Sequence, residues 1–374
     1  MKKQNTANLF LLVSLALIMA FFSLSYIFIE EKSFSEDENR SLQTFPKFTP
    51  EKFINGTYTH QLHNYFSDQI NLRNGMIEIK ANTELLMCKH ENNGILLGRD
   101  GYLIETHQYT EENYLFLNKN LNKMEKLIIS FEENGITSYS VIIPRKIDVL
   151  QDYIPPAYSI ERSEKVFELI DDNHILFNNS FKSAQDNGLD VFYKTDHHWT
   201  AEGAYWAYKE LGSELGYIPY DINYFSLETL SSDFYGTNYS KSGFFFVDAD
   251  EIKAPSIESG RYTVTVVDTE TEFDTLYDRS YLEKKDKYST FLSGNNAHVK
   301  IYDTQNLSKE TLLIIKDSYS HSLAPYLCEH YNIELIDPRY YSGSIEEYVK
   351  ENNIKNVLFL FGLDTLASAN LTIR

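Results

Sequence analysis

Apolar and polar positions follow two different rhythms along this 374-residue chain. Short apolar runs at 138–144 (SYSVIIP), 311–316 (TLLIIK), 333–338 (IELIDP) and 355–364 (KNVLFLFGLD) are rich in β-branched residues and bounded by polar or turn residues. Such runs predict strands buried on both faces. Between them, apolar residues recur every three to four positions at 114–135, 161–173, 200–217, 320–332 and 344–353, which predicts amphipathic helices. Thr200 suits the N-cap of the third of these. Strands alternating with helices specify an α/β domain with a mostly parallel sheet.

Other segments refine this plan. Residues 58–87 read as helical, and 93–105 as a hairpin turning at Asp100–Gly101. The run 189–196 (LDVFYKTD) is expected to be a strand. From about 226 to 303 the alternation lapses into DFYGTNYSKSGFFF and RYTVTVVDTETEF, an irregular, partly β insertion.

The N-terminus carries Lys2 and Lys3, then an uncharged apolar run over 9–29. A helix rising about 1.5 Å per residue would cover the hydrocarbon core with that length. The run is longer than a cleavable signal core and ends without a small-residue site. The expected organisation is a cytoplasmic tail (1–8), a transmembrane signal anchor (9–29), a juxtamembrane connector (30–50) and an extracytoplasmic domain (51–374). Membrane contact is through this helix, and a bacterial cell membrane is the expected location.

There are 34 basic and 54 acidic residues, a net charge of −20. That balance argues against nucleic acid or anionic lipid as the main partner. Only Cys88 and Cys328 are present, too few to establish a disulfide framework.

The densest chemistry lies in YKTDHHWT, 193–200. On an extended strand neighbouring side chains face opposite ways, so His197 and His198 would not share one ion, and no His or Cys at helical spacing completes a zinc site. No metal and no cofactor is expected. Asp196 and His198, two apart, would share a face, where a carboxylate can orient an imidazole. His197 would then point away, into structure or solvent. A plain structural Asp–His hydrogen bond is the simpler alternative. A matching nucleophile follows the strand at 311–316: Ser318, in KDS, stands at a strand-to-helix turn where backbone N–H groups can hold an oxyanion. Ser318 is equally explicable as an N-cap.

Taken together, D-x-H-W followed later by D-S resembles the SGNH-hydrolase-like domain of bacterial polysaccharide O-acetyltransferases of the alginate O-acetylation type. TDHHW is more closely similar to the DHHW proteins, a bacterial cell-surface family. ENRSLQTFP, GILLGRDGYLIE, VIIPRK, DFYGTNYSKSG and IIKDSYSHSLAPYL continue that resemblance over roughly 38–364. It implies a three-layer SGNH-hydrolase-like fold with a Ser–His–Asp site on Ser318, His198 and Asp196. Lys316 stands where SGNH esterases have glycine. The oxyanion would rest on the N–H of Ser318 or Tyr319, with Asn238 or Tyr239 as a further donor. Trp199 either walls the pocket or packs in the core. Arg145 and Lys146 either bind an acidic polymer or cap a strand. The implied activity is O-acetyl transfer to, or removal from, a cell-surface polysaccharide or acylated glycan. A transferase drawing on a cytoplasmic donor would need a multi-span membrane partner. The alternative is a non-catalytic carbohydrate-binding or assembly protein retaining the fold.

Overall fold

The computed structural model describes residues 2–28, 30–35, 40–70, 72–158, 164–170 and 173–374. The chain divides into two compact units, one of Met1–Lys89 with Gly243–Phe245, the other of His90–Ser242 and Phe246–Arg374. The first unit contains helices α1 (Lys2–Phe28), α2 (Thr57–Gln69) and α3 (Arg73–Leu86). The single helix expected over 58–87 is therefore two, parted where Leu72 takes a left-handed φ of 60°. Among the described residues no helix is long and apolar enough to cross a membrane. Side chains of α1 are described over 8–24, and residue 29, the last of the expected anchor, lies outside the described residues.

The second unit opens with the expected hairpin, β1 (Ile95–Leu97) and β2 (Leu103–Glu105), antiparallel. Asp100 and Gly101 both take positive φ at its turn, which is why a short polar residue and a glycine occupy it. Then come α4 (Glu111–Glu133), β3 (Thr137–Ile143), β4 (Ile175–Leu176), α5 (Asn178–Asp186) and α6 (Ala201–Leu215). The Thr200 side chain accepts the Gly203 N–H at 3.0 Å and caps α6. The helix expected over 161–173 is seen only as Glu164–Phe167, since 159–163 and 171–172 lie outside the described residues.

Next are β5 (Glu228–Phe234), β6 (Asp250–Ala254), β7 (Tyr262–Val266), β8 (Thr271–Phe273) and β9 (His298–Asp303). The chain ends with β10 (Thr311–Lys316), α7 (Ser320–Leu327), β11 (Asn332–Ile336), α8 (Ile345–Glu351), β12 (Asn356–Gly362) and α9 (Leu363–Ser368).

Eight strands form the main sheet in the order β8-β7-β9-β11-β10-β12-β3-β4. The pairings from β11 through β4 are parallel, and those joining β8, β7, β9 and β11 are antiparallel. The sheet is mixed rather than mostly parallel, and the region from 226 to 303 is the reason. It extends the sheet with β7, β8 and β9, while β5 and β6 pair separately. Its polar–apolar alternation is that of strands with one face solvated.

Alternation within the central strands builds three layers. Leu312 and Ile314 of β10, with Leu358 and Leu360 of β12, enter one core together with α6 and α7. Leu313, Ile315, Val357, Phe359 and Phe361 enter the other, against α4, α8 and α9. Each fully buried aliphatic side chain here contributes about 1.5–3 kcal/mol. This two-sided burial explains why these strands read as unbroken apolar runs.

The strand expected over 189–196 does not form. Residues 194–198 are bends, flanked by one isolated bridge, Phe192 to Trp199. Side chains hold its backbone in place of a ladder. The Asp250 carboxylate accepts the N–H groups of Lys194 (2.8 Å) and Thr195 (2.7 Å). The fully buried Lys146 ammonium donates to the carbonyls of Leu103, Tyr193, Lys194 and Asp196. With its polar groups satisfied in this way, an apolar segment has no need of a neighbouring strand.

Candidate active site

β10 runs parallel to both of its neighbours, β11 and β12, and the chain leaves its carboxyl end through Lys316, Asp317 and Ser318. Open α/β sheets hold their ligands at that edge. β3 ends at the same edge in Pro144 and Arg145, and β12 ends there in Gly362, Leu363 and Asp364. Residues from all three strand ends line one cavity of about 330 Å³, together with Ser318, Tyr319, His197 and Lys241.

Asp317 shapes the turn: its two oxygens accept the N–H of Tyr319 (3.1 Å) and of Gly362 (2.7 Å). α7 begins only at Ser320, so Ser318 is a turn residue rather than an N-cap. Its Oγ lies 2.8 Å from His198 Nε2, and His198 Nδ1 lies 2.6 Å from Asp196 Oδ1. A carboxylate only accepts, so Nδ1 carries the proton and Nε2 presents its lone pair to Ser318.

The bend, not a strand, brings Asp196 and His198 together, and Asp196 also accepts the backbone N–H of His198 at 2.9 Å. Its other oxygen accepts Thr237 N–H (2.8 Å) and Thr237 Oγ1–H (3.0 Å). Burial works against ionising Asp196, but His197, His198 and the bonds from His198 hold its carboxyl well below the ordinary aspartate value. The His198 ring stacks on Tyr288, centroids 3.8 Å apart and planes at 9°. The Tyr288 hydroxyl meets Ser322 at 3.0 Å and the Ser318 carbonyl at 3.3 Å, locking imidazole and turn to the same ring.

The remaining expected residues separate. Tyr319 lines the cavity, and its hydroxyl donates to the His197 carbonyl at 2.9 Å. Its N–H is held by Asp317, whereas the Ser318 N–H has no partner among the described residues. Asn238 is buried and donates to the Leu103 carbonyl at 3.1 Å. The Tyr239 N–H donates to Thr195, and neither residue lines the cavity. Trp199 is wholly buried, its Nε1–H on Ser322 at 2.8 Å; it packs in the core. Arg145 borders the cavity, bound to Asp148 and the His107 carbonyl and lying over the Tyr109 ring. Lys146 is fully engaged by its four carbonyls, and burial lowers its pKa to about 8. It holds the loop and also lines the cavity. Lys316 is buried against His321 (2.7 Å) and Asp337 (3.3 Å), outside the cavity lining.

His197 does not point away. Its ring lies 3.9 Å from that of His198 and lines the cavity. The expectation of opposed histidines assumed strand geometry that the bend abolishes. Asp196, His197 and His198 thus each place one possible ligand atom within 4.8 Å of the others. The Asp196 oxygens and both His198 nitrogens already hold the hydrogen bonds described above.

Sequence reading missed Thr237, Tyr288 and Asp250, whose spacing from the motif carries no local signal. Gly236 did carry one, as a glycine beside a polar turn. A Cβ there would lie 2.3 Å from Asp196 Cβ and 2.4 Å from its Oδ2. Gly236→Ala is therefore expected to destabilise the fold by about 1–3 kcal/mol, read as a lower urea midpoint; an unchanged midpoint would show that Asp196 moves aside freely.

Residues 108–336 match the family model described as "DHHW protein". The chain belongs to the DHHW family. A DHHW family protein from Eubacterium siraeum shares its fold, with 21% identity, 75% of this chain and 94% of that chain covered, and a TM-score of 0.57. Bacillus cereus PatB1 is similar at 18% identity, 75% and 98% coverage and a TM-score of 0.59. The PatB1 structure with a sulfonyl adduct matches at 17%, 75% and 99%, also at 0.59. At these identities the likeness is one of fold. No curated protein matches the chain.

Proposed function

We propose that this DHHW protein is a serine-dependent acyl-transfer enzyme, an O-acetyltransferase or O-acetylesterase of cell-surface polysaccharide. The observation that carries the reading is the unbroken run Asp196–His198–Ser318, at 2.6 and 2.8 Å, opening into a cavity at the carboxyl edge of the sheet. A structural Asp–His pair would not need a half-exposed serine on its far nitrogen. In this reading Ser318 Oγ attacks the acyl carbonyl carbon while His198 Nε2 takes the hydroxyl proton. The imidazolium, stabilised by Asp196, returns that proton to the departing alkoxide. A sugar hydroxyl or water then attacks the acyl-serine, passing its proton through His198 to Ser318 as the ester bond breaks. The Ser318 N–H stabilises the oxyanion in both halves. The apolar run over 9–29 anchors the chain with its catalytic unit outside the cytoplasm. A transferase of this kind would take its acyl group from a multi-span membrane partner.

The test uses the full-length protein in detergent. A sulfonyl fluoride should label Ser318, located by peptide mass spectrometry, and 4-nitrophenyl acetate should give a burst of nitrophenol. PatB1, captured with a sulfonyl adduct, makes that reagent the natural choice. Absence of both signals would leave the site a structural one.

A further inference from the structure

His197 is the first of the two histidines in the family motif, and the acyl-transfer steps above do not use it. Its Nδ1 lies 2.9 Å from Thr237 Oγ1. Thr237 has one hydroxyl proton, and the Asp196 carboxylate, at 3.0 Å, is the stronger acceptor for it. The threonine oxygen must then accept from His197 Nδ1–H. His197 therefore has the tautomer of His198: Nδ1–H directed toward Asp196, through Thr237, and a lone pair on Nε2. That Nε2 has no partner among the described residues, and the side chain, about a third exposed (35%), lines the cavity beside Ser318. Burial and the neighbouring His198 lower the His197 pKa, which favours the neutral ring. One carboxylate thus orients two imidazoles, their centroids 3.9 Å apart and planes inclined by 36°.

Two acceptors on rings whose centres lie 3.9 Å apart suit two neighbouring hydroxyls on one molecule. We propose that His197 is a specificity-determining residue for a vicinal-diol acceptor, in which one hydroxyl meets His198 Nε2 and attacks the acyl-serine while its neighbour donates to His197 Nε2. The inference rests on the acyl-serine reading and names the acceptor class for it: a sugar ring offering adjacent free hydroxyls. His198 removes the attacking proton, and the His197 bond is made without proton transfer.

The experiment measures product partition from one acyl-serine. Full-length protein in detergent, acylated by 4-nitrophenyl acetate, is offered ethylene glycol or 1,3-propanediol, and acetylated diol is counted against free acetate. The wild type should favour the 1,2-diol by up to about tenfold, the worth of one hydrogen bond. His197→Asn keeps an N–H near the Nδ1 position but removes the Nε2 acceptor, and should bring the preference close to one. His197→Gln places an amide oxygen near the Nε2 position and should restore part of it. Because the ratio counts only enzyme that has formed acyl-serine, slower acylation or partial unfolding cancels. Equal selectivity in the wild type and His197→Asn, or acetate as the sole product with every diol, would overturn the proposal alone. No nitrophenol burst and no labelled Ser318 would remove the acyl-serine reading and this one with it.

Discussion

Ser318→Ala is expected to lower 4-nitrophenyl acetate turnover by about 10³–10⁵-fold and to abolish sulfonyl labelling. The loss is large because, among the described residues, Ser318 Oγ is the hydroxyl held by His198 Nε2. Without it no acyl-serine forms, and only the oxyanion donor and the cavity remain to assist direct attack by water. A fall of that size corresponds to about 4–7 kcal/mol of transition-state stabilisation. Stability should hardly change. Ser318 is half-buried in a turn set by Asp317, and the variant loses one hydrogen bond, worth about 1 kcal/mol. Turnover within a few-fold of the wild type, from protein with an unchanged melting temperature, would rule out Ser318 as the nucleophile.

Asp196→Asn should produce the second large effect, about 10⁴-fold in turnover, and unlike Ser318→Ala it should also destabilise. All the bonds described for this carboxylate come from donors: His198 N–H and Nδ1–H on one oxygen, Thr237 N–H and Oγ1–H on the other. An amide offers one oxygen. Whichever way it turns, its NH₂ faces donors, either Thr237 or His198, and a buried mismatch of this kind costs about 1–3 kcal/mol. The pH dependence follows from the depressed carboxyl. A group whose folded pKa lies below its unfolded value stabilises fully above the unfolded value, ordinarily 3.8, and loses that contribution as pH falls through the folded one. The stability gap between wild type and Asp196→Asn, taken from urea midpoints, should therefore hold at neutral pH and narrow below about pH 4. A gap that stays constant into acid would mean that the Asp196 charge contributes nothing to the fold.

Both variants act on a site half of which was legible in the sequence. Asp196, His198 and Ser318 stand out because residue type and spacing report local chemistry: an acid two residues from a base, and a serine where a buried strand gives way to a helix. Lys146 and Trp199 were equally visible, but their surroundings were not. One is surrounded by four carbonyls from distant segments and the other is sealed in the core. Asn238 and Tyr239 lie outside the cavity lining, and the sequence does not report that either. The Asn238 amide donates to Leu103 and the Tyr239 N–H to Thr195, both far away along the chain.

The sequence by itself determined the layers. Strands such as 311–316 and 355–364 had to be interior because they are apolar on both faces, and helices with one apolar stripe had to cover them. It also determined the hairpin turn at Asp100–Gly101 and the Thr200 cap, which depend on a few adjacent residues. Only the tertiary structure decided the course of residues 189–196. Locally they satisfy every requirement of a strand, yet Asp250 and Lys146, remote in sequence, take up their backbone hydrogen bonds and leave the segment bent. That bend turns His197 and His198 side by side over one carboxylate, where a strand would have set them on opposite faces. Backbone hydrogen bonds lost to distant side chains leave no trace in local periodicity, so the geometry of the DHHW motif could be settled only by the fold around it.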